Sequence, residues 1–176
     1  MHEFARGGLH GTPVDRIARR VGVAQPYVFS LFGSKKELFL AAVERNVELV
    51  AATFSNAADA FHPPRADADE DVFHAMGAAY MELLHSHRDY LMLQHQSYAA
   101  CDDPEIRDRV RELYARLVLH VQRLATDSAR RHGGPTPTAE QIDEFFRYGM
   151  WLNVAAAMGV EDLSAGCEWV RAEMNK

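Results

Sequence analysis

Cysteine is nearly absent: Cys101 and Cys167 are the only two in 176 residues, too few for a disulfide framework and without the CxxC spacing of a zinc site. No apolar run approaches the roughly 18 to 20 residues that a membrane-spanning helix needs, and the N-terminus lacks the charged-then-apolar pattern of a secretion signal. These absences predict a cytoplasmic protein with reduced thiols and no membrane partner. Strand signals are scarce too, since no alternating Val/Ile/Thr run is bounded by hairpin turns. There is no Gly-rich phosphate loop, no GxSxG elbow, no HExxH pair and no pair of carboxylates in an apolar setting. The nine histidines do not gather, and His85 and His87, two apart on one helix, point to different faces. No catalytic residue, metal or cofactor is therefore expected, and the chain reads as a non-enzyme.

What is present is a chain with 48% hydrophobic residues, enough to bury a sizeable core, whose apolar residues recur at spacings of three and four. The expected fold class is all-α. The net charge of −6 is unevenly spread: residues 1–46 hold seven basic and four acidic side chains, a net of +3, and the remainder carries −9. A basic head on an acidic body fits a nucleic-acid reader with a separate second domain. The expected division is 1–46 for a DNA-binding head and 47–176 for a larger helical domain that binds a ligand and dimerises.

Punctuation residues place the helices. Thr12, Pro13 and Asp15 predict a helix start with a hydroxyl cap and proline at its first position, running to about Val21 before Gly22. A short helix follows from about Ala24 to Leu31. Ser34 and Glu37 form a capping-box pattern that opens a long helix to about Phe61. The acidic stretch 65–71 reads as a solvated loop. Val72, Phe73, Met76, Tyr80, Leu83, Leu84 and His87 trace one helical face, and a further helix carries Tyr90 to Tyr98. Asp103 and Pro104 start a long helix to about Arg131, striped by Ile106, Val110, Leu113, Leu117, Val121 and Leu124. Thr138 caps a helix from Ala139 to about Met158 that is apolar around most of its circumference, which predicts burial on more than one side. Gly159 closes it, and a last helix is expected from about Asp162.

Two short helices joined by a glycine turn make a helix-turn-helix when the residues between them are apolar or small. Here Ile17, Ala18 and Val21 are expected to face Val23, Val28 and Leu31, while Gly22 supplies the left-handed turn. The second helix then exposes Gln25, Pro26, Tyr27 and Ser30 to a major groove, where Gln25 suits adenine and Tyr27 a thymine methyl or a phosphate. Lys35 opposes the dipole of the long helix that it opens, at a cost of roughly 0.3–1 kcal/mol, which a bound phosphate would remove.

The run Gly11 to Phe39, GTPVDRIARRVGVAQPYVFSLFGSKKELF, closely resembles the DNA-binding region of TetR-family regulators, through Thr12, the Asp15-Arg16-Ile17-Ala18 run, Gly22-Val23, Phe29, Phe32 and Ser34-Lys35 to Leu38. The resemblance covers about the first quarter of the chain. It implies that Thr12, Gln25, Pro26, Tyr27, Phe29, Ser30 and Lys35 are the DNA-contacting set, with Lys35 on a phosphate-contacting helix start. Ala24 stands where the family usually has a capping serine, and Phe29 where tyrosine is usual. The family's first helix also normally supplies further residues ahead of Phe4, and a head lacking them is expected to expose part of its core.

For the body the resemblance implies a ligand-binding domain whose last two helices pair across a twofold axis. Phe145, Gly149, Trp151, Leu152 and Trp169 are the expected dimer contacts. Tyr80, Leu84, His95, Tyr98, Tyr114, Leu117 and Phe146, which mix apolar faces with a few polar tips, are the expected pocket residues. The leading expectation is a homodimeric, ligand-responsive repressor that binds a near-palindromic double-stranded DNA operator and is released by a small-molecule effector. The alternative is a helical small-molecule-binding dimer that has lost DNA binding through N-terminal shortening.

Overall fold

The computed structural model describes residues 1–63 and 71–159, and they form eight helices: α1 His2–Gly11, α2 Val14–Val21, α3 Gln25–Phe32, α4 Lys35–Ala60, α5 Val72–Ser86, α6 Arg88–Ala99, α7 Pro104–His132 and α8 Ala139–Met158. Among the described residues there is no strand. The helix expected from Asp162, with Cys167 and Trp169, lies outside the described residues, as does all of the acidic stretch except Asp71.

Most breaks follow from local chemistry. Asp103 accepts from the backbone amides of Glu105 and Ile106 and has Pro104 behind it, so α7 starts with its first amides satisfied and no lost donor. Thr138 and Gln141 make a complete capping box on α8. At α4 only half of that device forms: the Ser34 hydroxyl accepts from the Glu37 amide at 3.1 Å. Gly22 ends α2 at φ 75, a conformation that a side chain would strain.

One joint differs from expectation. Pro13, not Thr12, occupies the N-cap of α2, and no side chain caps it. Thr12 is 1% exposed and its hydroxyl donates to the Glu3 carbonyl at 3.0 Å, so it ties α1 to α2 from inside. A buried hydroxyl needs a partner, and this one takes the Glu3 carbonyl.

The helix-turn-helix packs Val14, Ala18 and Val28 together, with Val23, Phe32 and Leu38 at the edge. Val21 and Leu31, expected in this seam, are exposed instead. On a helix of 3.6 residues per turn, Phe32 lies about 40° from Val28 on one side and Leu31 about 60° on the other. The seam takes Phe32. Val21 is the last residue of α2, beyond which the chain turns away.

The larger core joins head to body. Phe4, Ala5 and Leu9 of α1, Phe39, Leu40 and Val43 of α4, Leu93 of α6, and Ile106 and Leu113 of α7 form one buried cluster. The short α1 therefore does close the head, contrary to the expected exposed core. A second cluster, Val50, Phe54, Met76, Tyr80, Leu84, Leu91 and Val121 among its members, fills the body. Because α4 runs unbroken through residue 46, the expected domain boundary falls mid-helix, and a single rod contributes to both clusters.

The seat of α1 on α6 requires glycine. Gly8 has φ 61 and ψ −171, a region that essentially only glycine occupies. A Cβ there would lie 2.5 Å from Gln96 Oε1. Gly8→Ala is expected to lower stability by about 1–3 kcal/mol, seen as a fall in the urea midpoint with little change in slope.

Candidate nucleic-acid interface and helical cavity

The outward face of α3 carries Gln25, Pro26, Tyr27 and Ser30, all exposed, with Phe29 at its margin. Their inward neighbour Val28 anchors the helix, so this face is rigidly presented and made of groups that can bond or touch base edges. The Ser30 hydroxyl donates to the Tyr27 carbonyl at 2.7 Å, which leaves its oxygen free to accept. The α3 start has no side-chain cap, as the alanine at position 24 requires.

Lys35 sits differently from the expected clamp. Its Nζ donates to the His10 carbonyl at 3.0 Å, at the end of α1 where the helix dipole is negative. The cation thus relieves its own unfavourable position by pinning α1 to α4. Neighbouring Lys36 bonds Glu105 at 2.7 Å and Asp103 at 2.9 Å, which holds its ammonium charged and ties the head to the first turn of α7. These partners raise the Lys36 pKa, Glu105 first.

Three arginines that the sequence reading did not single out line the exposed side of α2. Arg16 and Arg20 both pair with Glu3, at 3.9 and 3.2 Å, and Arg19 pairs with Asp15 at 2.7 Å. Arg19 and Asp15 are both exposed, a pair worth about 0–1 kcal/mol, whereas Glu3 is 11% exposed and holds two guanidinium groups that themselves stand in solvent. Their signal was the Arg16, Arg19, Arg20 spacing of three and four.

The body contains a cavity of about 850 Å³ bounded by α4, α5, α6, α7 and α8. Of the expected pocket residues, Tyr80, Tyr98, Tyr114, Leu117 and Phe146 line it. Leu84 does not, being packed in the body core. His95 does not either: its Nε2 lies 3.2 Å from the Asn153 carbonyl, so it braces α6 against α8. Two of the expected dimer residues turn inward. Leu152 is 2% exposed, and Phe145 stacks edge-on against Phe54 at 5.4 Å and Phe146 at 5.5 Å; both line the cavity, as does Gly149. Trp151 touches its rim and is 49% exposed. With Tyr148, Val154 and Met158, also exposed, it forms an apolar face of α8. Among the described residues this helix is therefore covered on one side.

A polar network crosses the cavity wall. The Tyr80 hydroxyl lies 2.6 Å from Asn153 Oδ1 and 3.0 Å from Gln94 Oε1, and its single proton serves one of them at a time. Gln94 Nε2 donates to the Tyr98 hydroxyl at 2.8 Å. Burial pushes the Tyr80 and Tyr114 phenols up and takes Tyr98 to about 12. Asn46, missed in the sequence reading, is 3% exposed and lines the cavity. Its Nδ2 donates to the Tyr90 carbonyl at 3.0 Å, which fixes the amide orientation, and its Oδ1 has no hydrogen-bond partner among the described residues. A buried acceptor left so costs about 1–3 kcal/mol. The signal was available: Phe39, Val43, Asn46, Val50 and Phe54 follow a helical stripe, and Asn46 is its one polar member.

The same elements link cavity and head. The α6 residues Gln94, Ser97 and Tyr98 line the cavity, while Leu93 and Gln96 meet α1, and Asp89 bonds His2 at 2.6 Å. At the start of α6, Arg88 donates to the Ala156 and Ala157 carbonyls at 3.1 and 2.9 Å, capping α8.

Among the described residues no helix is long and apolar enough to cross a membrane, and no three His, Cys, Asp or Glu side chains gather to hold a metal.

Residues 1–42 match the profile of bacterial regulatory proteins, tetR family. Over 45 residues the chain is 42% identical to the HTH-type transcriptional activator FasR of Mycolicibacterium smegmatis, a match spanning 26% of this chain and 20% of that protein. The fold is similar to that of the TetR family transcriptional regulator PfmR from Thermus thermophilus, with a TM-score of 0.60 at 16% identity over 90% of this chain and 82% of the other. At that identity the likeness is one of fold.

The high phenol pKa of Tyr98 has a consequence for stability. A group that ionises near 10 when unfolded and near 12 when folded binds more protons in the native state across that interval, so stability falls as pH rises from 10 to 12 and is unaffected below. Alkaline denaturation followed by tyrosinate absorbance should show this fall, and Tyr98→Phe should make it shallower.

Proposed function

We propose that this chain, whose residues 1–42 match the profile of bacterial regulatory proteins, tetR family, is a cytoplasmic, ligand-responsive regulator of that family that binds its operator as a homodimer and represses transcription. DNA binding is the part carried by the family and by the exposed α3 face. The finer reading rests on one observation: α6 lines the cavity with one face and seats α1 with the other.

A molecule that pushes on Gln94, Ser97 or Tyr98 displaces α6, and α6 cannot move without α1, because Leu93, Asp89 and the close approach of Gly8 bind the two together. The helix-turn-helix follows α1 through Thr12 and Lys35. In a dimer this changes the separation of two α3 helices that must match half-sites about one helical turn apart, so ligand and operator compete for conformations. A twofold dimer in turn asks for a near-palindromic operator. The exposed apolar face of α8, Tyr148, Trp151, Val154 and Met158, supports a partner copy on that side, with Trp151 kept from the expected contacts. The FasR relative is named an activator, so a reporter assay with and without the regulator fixes the sign: repression predicts higher expression in its absence.

The primary test is titration of the protein against the DNA flanking its own gene at two salt concentrations, with random DNA as competitor. Specific binding that weakens steeply with salt is the expected result; absence of binding to either DNA would favour a helical ligand-binding dimer without a reading head. Tyr27→Ala is expected to weaken operator binding by roughly 1–3 kcal/mol while leaving random DNA almost unchanged. Equal losses on both would remove Tyr27 from the base-reading set.

A further inference from the structure

Resting on the ligand-responsive reading, we propose that the cavity takes an uncharged, mainly apolar molecule bearing one hydrogen-bond donor, a hydroxyl or an N–H, which is received by Asn46.

The distribution of charge in the wall carries the first half of this. The cavity wall includes Asp71, His74, Glu144 and Arg147, and all four are exposed, so charge stands at the rim. Deeper, the polar groups are phenols, amides and a hydroxyl, set among Val50, Phe54, Leu117 and Phe146. Among the described residues no buried cation lines it to pair a carboxylate or phosphate, and no buried carboxylate to pair an ammonium, so a charged ligand group would be desolvated without compensation. The upward push on Tyr98 reflects the same surroundings.

The hydrogen-bond inventory carries the second half. The Tyr80, Gln94 and Tyr98 polar groups and Asn153 Oδ1 are engaged with one another, the Ser97 hydroxyl donates to the Gln94 carbonyl at 2.7 Å, and Tyr114 is only partly buried. Asn46 is different. Its Nδ2 is committed to the Tyr90 carbonyl, so turning the amide over would face two oxygens together. Its Oδ1 stays an acceptor without a donor among the described residues. A hydroxyl or N–H satisfies it, an ether does not, and a carboxylate meets it with lone pair against negative charge.

Three naphthalene probes of similar size separate these cases on the full chain by calorimetric titration at neutral pH: 2-naphthol, 2-methoxynaphthalene and 2-naphthoate. The expected order is naphthol tightest, by about tenfold or more over the ether, with naphthoate weakest. In Asn46→Leu the advantage of naphthol over the ether should disappear while the ether still binds. Should that variant fail to fold, the naphthol-to-ether ratio on the unaltered protein decides alone. Naphthoate binding as tightly as naphthol overturns the uncharged class, and an unchanged naphthol preference in a folded Asn46→Leu overturns the role of Asn46. If none of the three binds, the inference falls together with the ligand arm of the proposed function, whereas operator binding measured without probe reports on the DNA-binding arm separately.

Discussion

The contact on which the two halves of this molecule depend is Phe4 against Phe39, edge to face with ring centroids 5.1 Å apart. Both rings are essentially sealed from solvent. Phe4 belongs to α1 and Phe39 to the second turn of α4, and around them close Leu93 from α6 and Ile106 and Leu113 from α7. Burying an aromatic side chain of this kind is worth roughly 1.5–3 kcal/mol. The larger effect is geometric. A helix-turn-helix whose own seam is only Val14, Ala18 and Val28 is too small to hold a fixed orientation by itself; through α1 it becomes an extension of the body.

Electrostatics finish the joint without dominating it. Lys36 to Glu105 and Asp103, Arg109 and Arg116 to Glu44, and His2 to Asp89 each bridge elements far apart in sequence. Being partly exposed, such pairs contribute little to stability and are weakened by salt. Their value lies in registering α1, α4, α6 and α7 against one another after the apolar contacts have brought them together. The Glu44 carboxyl shows the coupling: Arg116 and Arg109 hold it below the usual carboxylate range against the opposing effect of burial.

Much of this was legible beforehand. The helices at α4, α7 and α8 were announced by Ser34, by Asp103 with Pro104 and by Thr138, because capping is a local bond between near neighbours. Thr12 misled for the opposite reason: a hydroxyl has several partners to choose from, and the one it took, the Glu3 carbonyl, is brought close only when α1 folds back. Lys35 misled likewise, since the His10 carbonyl that it pins is 25 residues away. In the body, aromatic residues on a helical stripe were visible, yet whether one lines a space or fills a core depends on the neighbours across from it. Tyr98 and Leu84 parted ways on that ground, and Phe145 and Leu152 turned from expected interface to interior.

The amino-acid sequence by itself determined the helical class, the punctuation between helices, the basic head and the outward chemistry of Gln25, Pro26, Tyr27 and Ser30, because each depends on periodicity, on caps within a turn or on charge along the chain. Only the tertiary structure decided that α1 and α6 share a seam, that a cavity opens between α4 and α8, and that Asn46 is left holding an unanswered acceptor. Those are differences between groups that meet across long loops. What a side chain faces is set by which helices pack, and packing is resolved only when the whole core closes at once.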